Sequence, residues 1–108
     1  LALQRRALKD VPLADVVVTN PTHYAVALKY DAAEAPAPKV LAKGADLLAQ
    51  RIREIAWEHD VPTVENRPLA RALYDTVPIG QQIPPELYQA VAEVLAFVYS
   101  LRRQRRQL

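Results

Sequence analysis

Cysteine is absent from the 108 residues. That excludes a disulfide framework, a thiolate zinc centre and a thiol nucleophile, and it fits a reducing compartment. Long apolar runs are also missing. No stretch approaches the roughly 18 uninterrupted apolar residues that span a bilayer. The opening Leu1-Ala2-Leu3-Gln4-Arg5-Arg6 has no signal-peptide pattern. With no initiator methionine either, the sequence reads as a soluble piece of a longer protein. The two histidines, His23 and His59, lie far apart, so no metal site is expected, and no cofactor is implied. Charge of one sign is scarce: the net value is +2. It is also uneven, with Arg5, Arg6 and Lys9 at one end and Arg102, Arg103, Arg105 and Arg106 at the other. A nucleic-acid binder carries its charge on one face interleaved with aromatics, so no nucleic-acid partner is expected. Basic ends of this kind suit the vicinity of an anionic membrane.

What is present fits one folded domain: 51% hydrophobic and 24% charged residues in a chain of ordinary domain length. Residues 1–10 carry a weak helical pattern that should end before Pro12. Val16-Val17-Val18 within residues 14–19 reads as a strand buried on both faces. In residues 24–30, Tyr24, Val26, Leu28 and Tyr30 alternate with Ala25, Ala27 and Lys29, which predicts a second strand. Pro36 and Pro38 make residues 31–38 a loop with a Pro-Ala-Pro tip. A short strand at 39–43 is followed by Gly44, which opens a helix with Ala45, Leu48, Ile52 and Ile55 on its apolar side, ending near His59-Asp60. His59 is expected to meet free carbonyls there. A brief strand at 62–65 completes a parallel strand-helix-strand unit.

Asn66 should cap the next helix, with Pro68 in its first turn, Leu69, Ala72 and Leu73 facing inward, and Val77-Pro78 ending it. The last helix opens at Pro84-Pro85-Glu86 and closes in Arg102-Arg103, as the macrodipole favours. Its polar residues Gln89, Glu93 and Ser100 fall in one narrow sector, which leaves an apolar arc wider than one core contact needs. Leu87, Val91, Val94 and Val98 suit the sheet. Ala92, Leu95, Ala96 and Tyr99 form a spare flank, either covered by another part of the chain or open to a partner.

The segment with chemical content is Asn20-Pro21-Thr22-His23, between the first two strands. An asparagine amide nitrogen can attack its own backbone carbonyl, close a succinimide and expel the next residue as an amine. The competing deamidation route needs an N–H on the following residue, which Pro21 lacks. Thr22 and His23 can relay a proton. Intramolecular orientation would supply the rate of a bond broken once. Asn-Pro is also a common turn initiator, so the residues alone favour a plain connection between strands. Asp15, Asp31 and Glu34 have no spacing that pairs them as acid and base.

The run Val16-Val17-Val18-Thr19-Asn20-Pro21-Thr22-His23-Tyr24-Ala25-Val26-Ala27-Leu28-Lys29-Tyr30 resembles the FlhB/YscU family of type III secretion switch proteins. The resemblance continues through Lys43-Gly44-Ala45-Asp46, residues 65–74 and residues 88–96, and Tyr24-Ala25-Val26-Ala27-Leu28 is similar to its flagellar branch. It implies an α/β fold: a small mixed β-sheet of about four short strands surrounded by about four helices, with the Asn-Pro-Thr-His loop between the first two strands. Residues 1–12 would be a helical linker from a membrane portion, 13–101 the self-cleaving domain and 102–108 a basic tail. The resemblance further implies an inner-membrane protein with this domain on the cytoplasmic side. Catalytic roles fall to Asn20, Pro21, Thr22 and His23 in a single-turnover cut, and the two pieces stay associated. Early substrates, rod and hook proteins, would dock on Ala37, Pro38, Ala92 and Leu95. A hook-length control protein would act as the trigger, and export-gate components such as the FlhA cytoplasmic domain are further implied partners. An injectisome paralogue with the same cleavage and an uncleaved interaction scaffold are the alternatives.

Overall fold

The structure is a computed structural model that describes residues 2–107, with side chains through residue 105. Val16–Asn20 (β1), Tyr24–Lys29 (β2), Lys39–Ala45 (β3) and Thr63–Glu65 (β4) form one sheet in the order β3-β2-β1-β4. β1 pairs antiparallel with β2 and parallel with β4, while β2 and β3 are antiparallel. The sheet is therefore mixed and four-stranded, as expected. The helices are Ala2–Ala7 (α1), Leu47–Glu58 (α2), Arg67–Thr76 (α3) and Tyr88–Gln107 (α4), with 3-10 turns at Leu8–Leu13 and Pro85–Leu87.

The alternation in β2 decides which helices meet which face. Val26 and Leu28 join Val16, Val18 and Val40 in a core closed by Leu69, Ala70 and Leu73 of α3 and by Val91, Val94, Leu95 and Val98 of α4. On the other face Ala25, Ala27 and Ala42 meet Ala49, Ile52, Ile55 and Ala56 of α2, with Ala7, Val11 and Ala14 from the N-terminal segment. Val17 lies in that second core, so the Val16-Val17-Val18 run is buried on both faces. The alanine layer is thin enough for α2 to approach the sheet closely.

Several boundaries depart from the sequence reading, each for a local reason. β3 runs through Gly44 to Ala45, so this glycine belongs to a strand rather than to the start of a helix. A Cβ at Gly44 would sit 2.6 Å from the Leu48 Cβ and 3.1 Å from its carbonyl carbon. Gly44 thus lets the first turn of α2 lie on β3. We expect Gly44→Ala to destabilise the fold by about 1–3 kcal/mol through overpacking. The test is the urea midpoint at unchanged m-value; an unmoved midpoint would contradict the close approach.

The strand-helix-strand run is a parallel crossover, but β3 and β4 are not neighbours. They occupy opposite edges, because Val16-Val17-Val18 needs a ladder on each side and β4 supplies the second one. The N-terminal helix tightens into a 3-10 turn that runs through Pro12 instead of ending before it. In α3 the buried residues are Leu69, Ala70 and Leu73; Ala72 is only half-buried. Asn66 caps α3 as expected, its Oδ1 accepting the Leu69 N–H at 3.2 Å. His59 Nδ1 lies 3.0 Å from the Ile55 carbonyl oxygen at the end of α2.

α4 begins at Tyr88 after a 3-10 turn and continues to Gln107, past the expected close at Arg102-Arg103. Arginine and glutamine are good helix formers and nothing there breaks the helix, so basic residues are poor stop signals by themselves. Of the segment expected as a basic tail, residues 102–107 are helical, and Leu108 lies outside the described residues. Asp15, unpaired in the sequence reading, is buried and accepts the Tyr30 N–H at 2.7 Å. Its other oxygen lies 3.9 Å from both Lys29 Nζ and Arg102 Nη1, tying the late turns of α4 to the start of β1.

Candidate functional site

β1 and β2 pair up to Asn20 opposite Tyr24, so only Pro21, Thr22 and His23 lie between the last paired residues. The loop folds back on itself, the His23 N–H donating to the Asn20 carbonyl oxygen at 2.9 Å. Among the described residues, the non-glycine positions with positive φ are Asp46 and Asp60. Neither Pro21 nor Thr22 therefore takes the left-handed conformation that a type II turn needs. Asn20 and Pro21 are half-buried, while Thr22 and His23 are exposed. The His23 ring is tilted 55° to the Tyr24 ring at 6.3 Å. All four predicted residues are thus gathered in one tight hairpin end, with the Asn20 carbonyl accepting a hydrogen bond.

Each side of the Asn20-Pro21 bond is anchored to a different part of the fold. Before it, the Thr19 carbonyl accepts the Asn66 N–H at 3.0 Å, which links β1 to the start of α3. Asn20 borders a shallow hollow lined also by Arg67, Pro68, Arg71, Ala72 and Asp75. After the bond, Arg53 Nη1 of α2 donates to the Pro21 carbonyl, and the Asp46 N–H donates to the His23 carbonyl at 3.0 Å. Next along, Tyr24 stacks on Tyr74 with centroids 4.6 Å apart. Lys43 Nζ donates to the Tyr74 carbonyl at 2.7 Å and lies 5.2 Å from that ring. Desolvation holds the Lys43 ammonium below the ordinary lysine pKa, with the Asp75 carboxylate opposing it.

Arg53 and Asp46 were not singled out as site residues from the sequence. Both are remote in the chain from Asn20, and only the fold brings α2 against the loop. The one available signal was Asp46 at the end of the Lys43-Gly44-Ala45-Asp46 motif, which carries no chemistry by itself.

A second constellation forms on the opposite part of the same core layer. Ala37, Pro38, Ala92 and Leu95 come together with Tyr30, Pro36, Ile83 and Tyr88 around a hollow of about 250 Å³. Its members differ in depth. Ala37 and Leu95 are buried at 3% and 6% exposure, whereas Ala92 is exposed on the rim. The spare flank expected on α4 is therefore split: Ala92, Ala96 and Tyr99 face outward, and Leu95 belongs to the core. Two of the lining segments are tied to each other through the backbone, the Ile83 N–H donating to the Pro38 carbonyl at 2.9 Å.

Known proteins resemble this chain in sequence and in overall fold. The chain is 66% identical over 104 residues to the flagellar biosynthetic protein FlhB of Salmonella typhimurium, covering 96% of this chain and 27% of that protein. It thus spans little more than a quarter of that relative's length. The crystal structure of the cytoplasmic domain of FlhB from Shewanella putrefaciens matches with a TM-score of 0.92 at 51% identity, over 96% of this chain and 80% of that one. The EscU C-terminal domain, solved with an asparagine-to-aspartate mutation, matches with a TM-score of 0.81 at 34% identity, over 85% of this chain and 98% of that one. A model of the FlhB HrpN YscU SpaS family matches residues 1–98, and on these grounds the chain belongs to that family.

Proposed function

We propose that this domain cuts its own backbone once, between Asn20 and Pro21, and serves flagellar type III export by switching it from rod and hook subunits to filament subunits. The observation that carries this reading is the closed hairpin end, in which the His23 N–H holds the Asn20 carbonyl at 2.9 Å. In the step, Asn20 Nδ2 bonds to the Asn20 backbone carbonyl carbon and the bond from that carbon to the Pro21 nitrogen breaks. One Nδ2 proton ends on the Pro21 nitrogen, which leaves as a secondary amine, and the five-membered succinimide later opens with water. Negative charge grows on the carbonyl oxygen during attack, where the His23 N–H acts as a fixed donor. Thr22 and His23 relay the proton in this reading. The reaction has no turnover, so the domain is not a multi-turnover enzyme.

The two pieces remain one fold, because β1 keeps its ladders with β2 and β4 after its link to β2 is severed. The cut then acts by changing the loop surface. Rod and hook proteins dock in the hollow of Ala37, Pro38, Ala92 and Leu95 before the switch, and a hook-length control protein triggers it. Export-gate components such as the FlhA cytoplasmic domain are neighbours, and the domain faces the cytoplasm from an inner-membrane protein. Similarity to flagellar relatives, at 66% identity against 34% for EscU, supports the flagellar assignment over an injectisome one.

Intact mass under denaturing conditions tests the cut. Fragments 1–20 and 21–108 are expected after native incubation, and a chain that stays whole would leave only the uncleaved scaffold.

A further inference from the structure

We infer that Arg53 is a positioning residue for the self-cleavage, holding the leaving side of the scissile bond through the Pro21 carbonyl. The inference rests on the cleavage proposed above and deepens it. All three carbonyls that matter in the turn are engaged: that of Asn20 by the His23 N–H, that of Pro21 by Arg53 and that of His23 by the Asp46 N–H. The last two contacts come from α2 and the residue that precedes it. Arg53 lies in the second turn of α2, seven positions after Asp46, on the helix face that meets the turn. That face is locked in place, since Ala49, Ile52 and Ala56 are fully buried beneath it and Gly44 admits its first turn onto β3.

The conformation of Asp46 is an independent sign that this platform is under constraint. Its φ of 53° and ψ of −114° suit glycine, and its side chain makes no capping bond to α2. Such a conformation persists where the surroundings over-determine it, and it concentrates at functional sites. Here it aims the Asp46 N–H at the His23 carbonyl while its own carbonyl accepts the Gln50 N–H at 3.0 Å.

With the ring of Pro21 fixing φ and Arg53 fixing its carbonyl, the orientation of the Pro21 nitrogen is set by α2. The charge-assisted bond from a guanidinium makes this hold stronger than a neutral one. On the other side of the bond, Asn20 borders a hollow that Arg67 and Arg71 also line. The attacking amide and the attacked carbonyl both belong to Asn20 and the clamped Pro21 nitrogen is the leaving group, so fixing it narrows the geometries of the intramolecular attack to those that can react.

The test measures fragment 21–108 by intact mass after cell-free translation of the full chain, which defines zero time. Asn20→Ala and the wild type run alongside. Arg53→Ala should slow cleavage by at least ~10-fold, the scale of a lost positioning contact. Arg53→Lys should recover most of the rate, and millimolar guanidinium should accelerate Arg53→Ala but not the wild type. A purely structural arginine would show neither rescue. An unchanged rate in Arg53→Ala, or a slowing that neither lysine nor guanidinium restores, overturns the inference. A wild type that does not cleave would instead refute the underlying reading.

Discussion

Replacing Asn20 with alanine is expected to leave a single full-length species under denaturing conditions, at incubation times when the wild type is fully converted to fragments. The effect is all or none because the substitution removes the nucleophile. Alanine has no side-chain nitrogen to attack the backbone carbonyl. The fold should be untouched. Asn20 pairs with Tyr24 and with His23 through backbone atoms, which alanine retains. An Asn20→Ala chain that still breaks at the same bond would show that water or another group, not the Asn20 amide, attacks the carbonyl.

Ala92→Asp is the substitution expected to separate export from cleavage. The residue sits exposed on the rim of the hollow, so a carboxylate there stays solvated in the free domain and costs little stability. If an apolar segment of a rod or hook protein covers the hollow, as proposed, the same carboxylate would be buried without a partner. A loss of about 30-fold in affinity or more corresponds to a hot-spot disruption of about 2 kcal/mol. Self-cleavage should proceed at the wild-type rate, since the hollow and the hairpin end are lined by different residues. Unaltered affinity for rod and hook proteins would remove the hollow as their docking site. Leu95 is the wrong residue for this experiment despite being in the same hollow. It is 6% exposed and packed in the core, so a charge there would unfold the domain before it reported on binding.

The contrast between Ala92 and Leu95 illustrates what a sequence can convey. Helical periodicity places both on one flank, because 100° per residue is a local property. Which of them lies under the Pro-Ala-Pro loop depends on where that loop crosses α4, and no local pattern encodes the crossing. The same division runs through the fold. The alternation of Tyr24, Val26 and Leu28 with Ala25 and Ala27 was legible, as were the Asn66 cap and the α/β class, since each follows from neighbours in the chain. The motif around Asn20-Pro21 was sufficient to point to the family.

The position of β4 beside β1, the tight approach at Gly44 and the reach of Arg53 to the turn were not legible. Each joins segments far apart in the chain, and the last two depend on how closely α2 settles on an alanine layer. Gly44 illustrates the difficulty. A glycine between a strand pattern and a helix pattern reads as punctuation, whereas its use here is the absence of a Cβ where two elements touch.

β1 is an interior strand, flanked by β2 on one side and β4 on the other, and among the described residues β4 has no other partner in the sheet. The first twenty residues also bring Ala7, Val11 and Ala14 to one core and Val16 and Val18 to the other. A domain cut at Asn20 would thus be a two-chain complex built from one gene product, its short member filling the middle of the sheet. Its unfolding would become a dissociation, and its refolding a second-order encounter governed by concentration. The cut would therefore remove the domain's ability to rebuild itself alone, and an assembly that had passed this point could retain its state for as long as the two pieces stayed together.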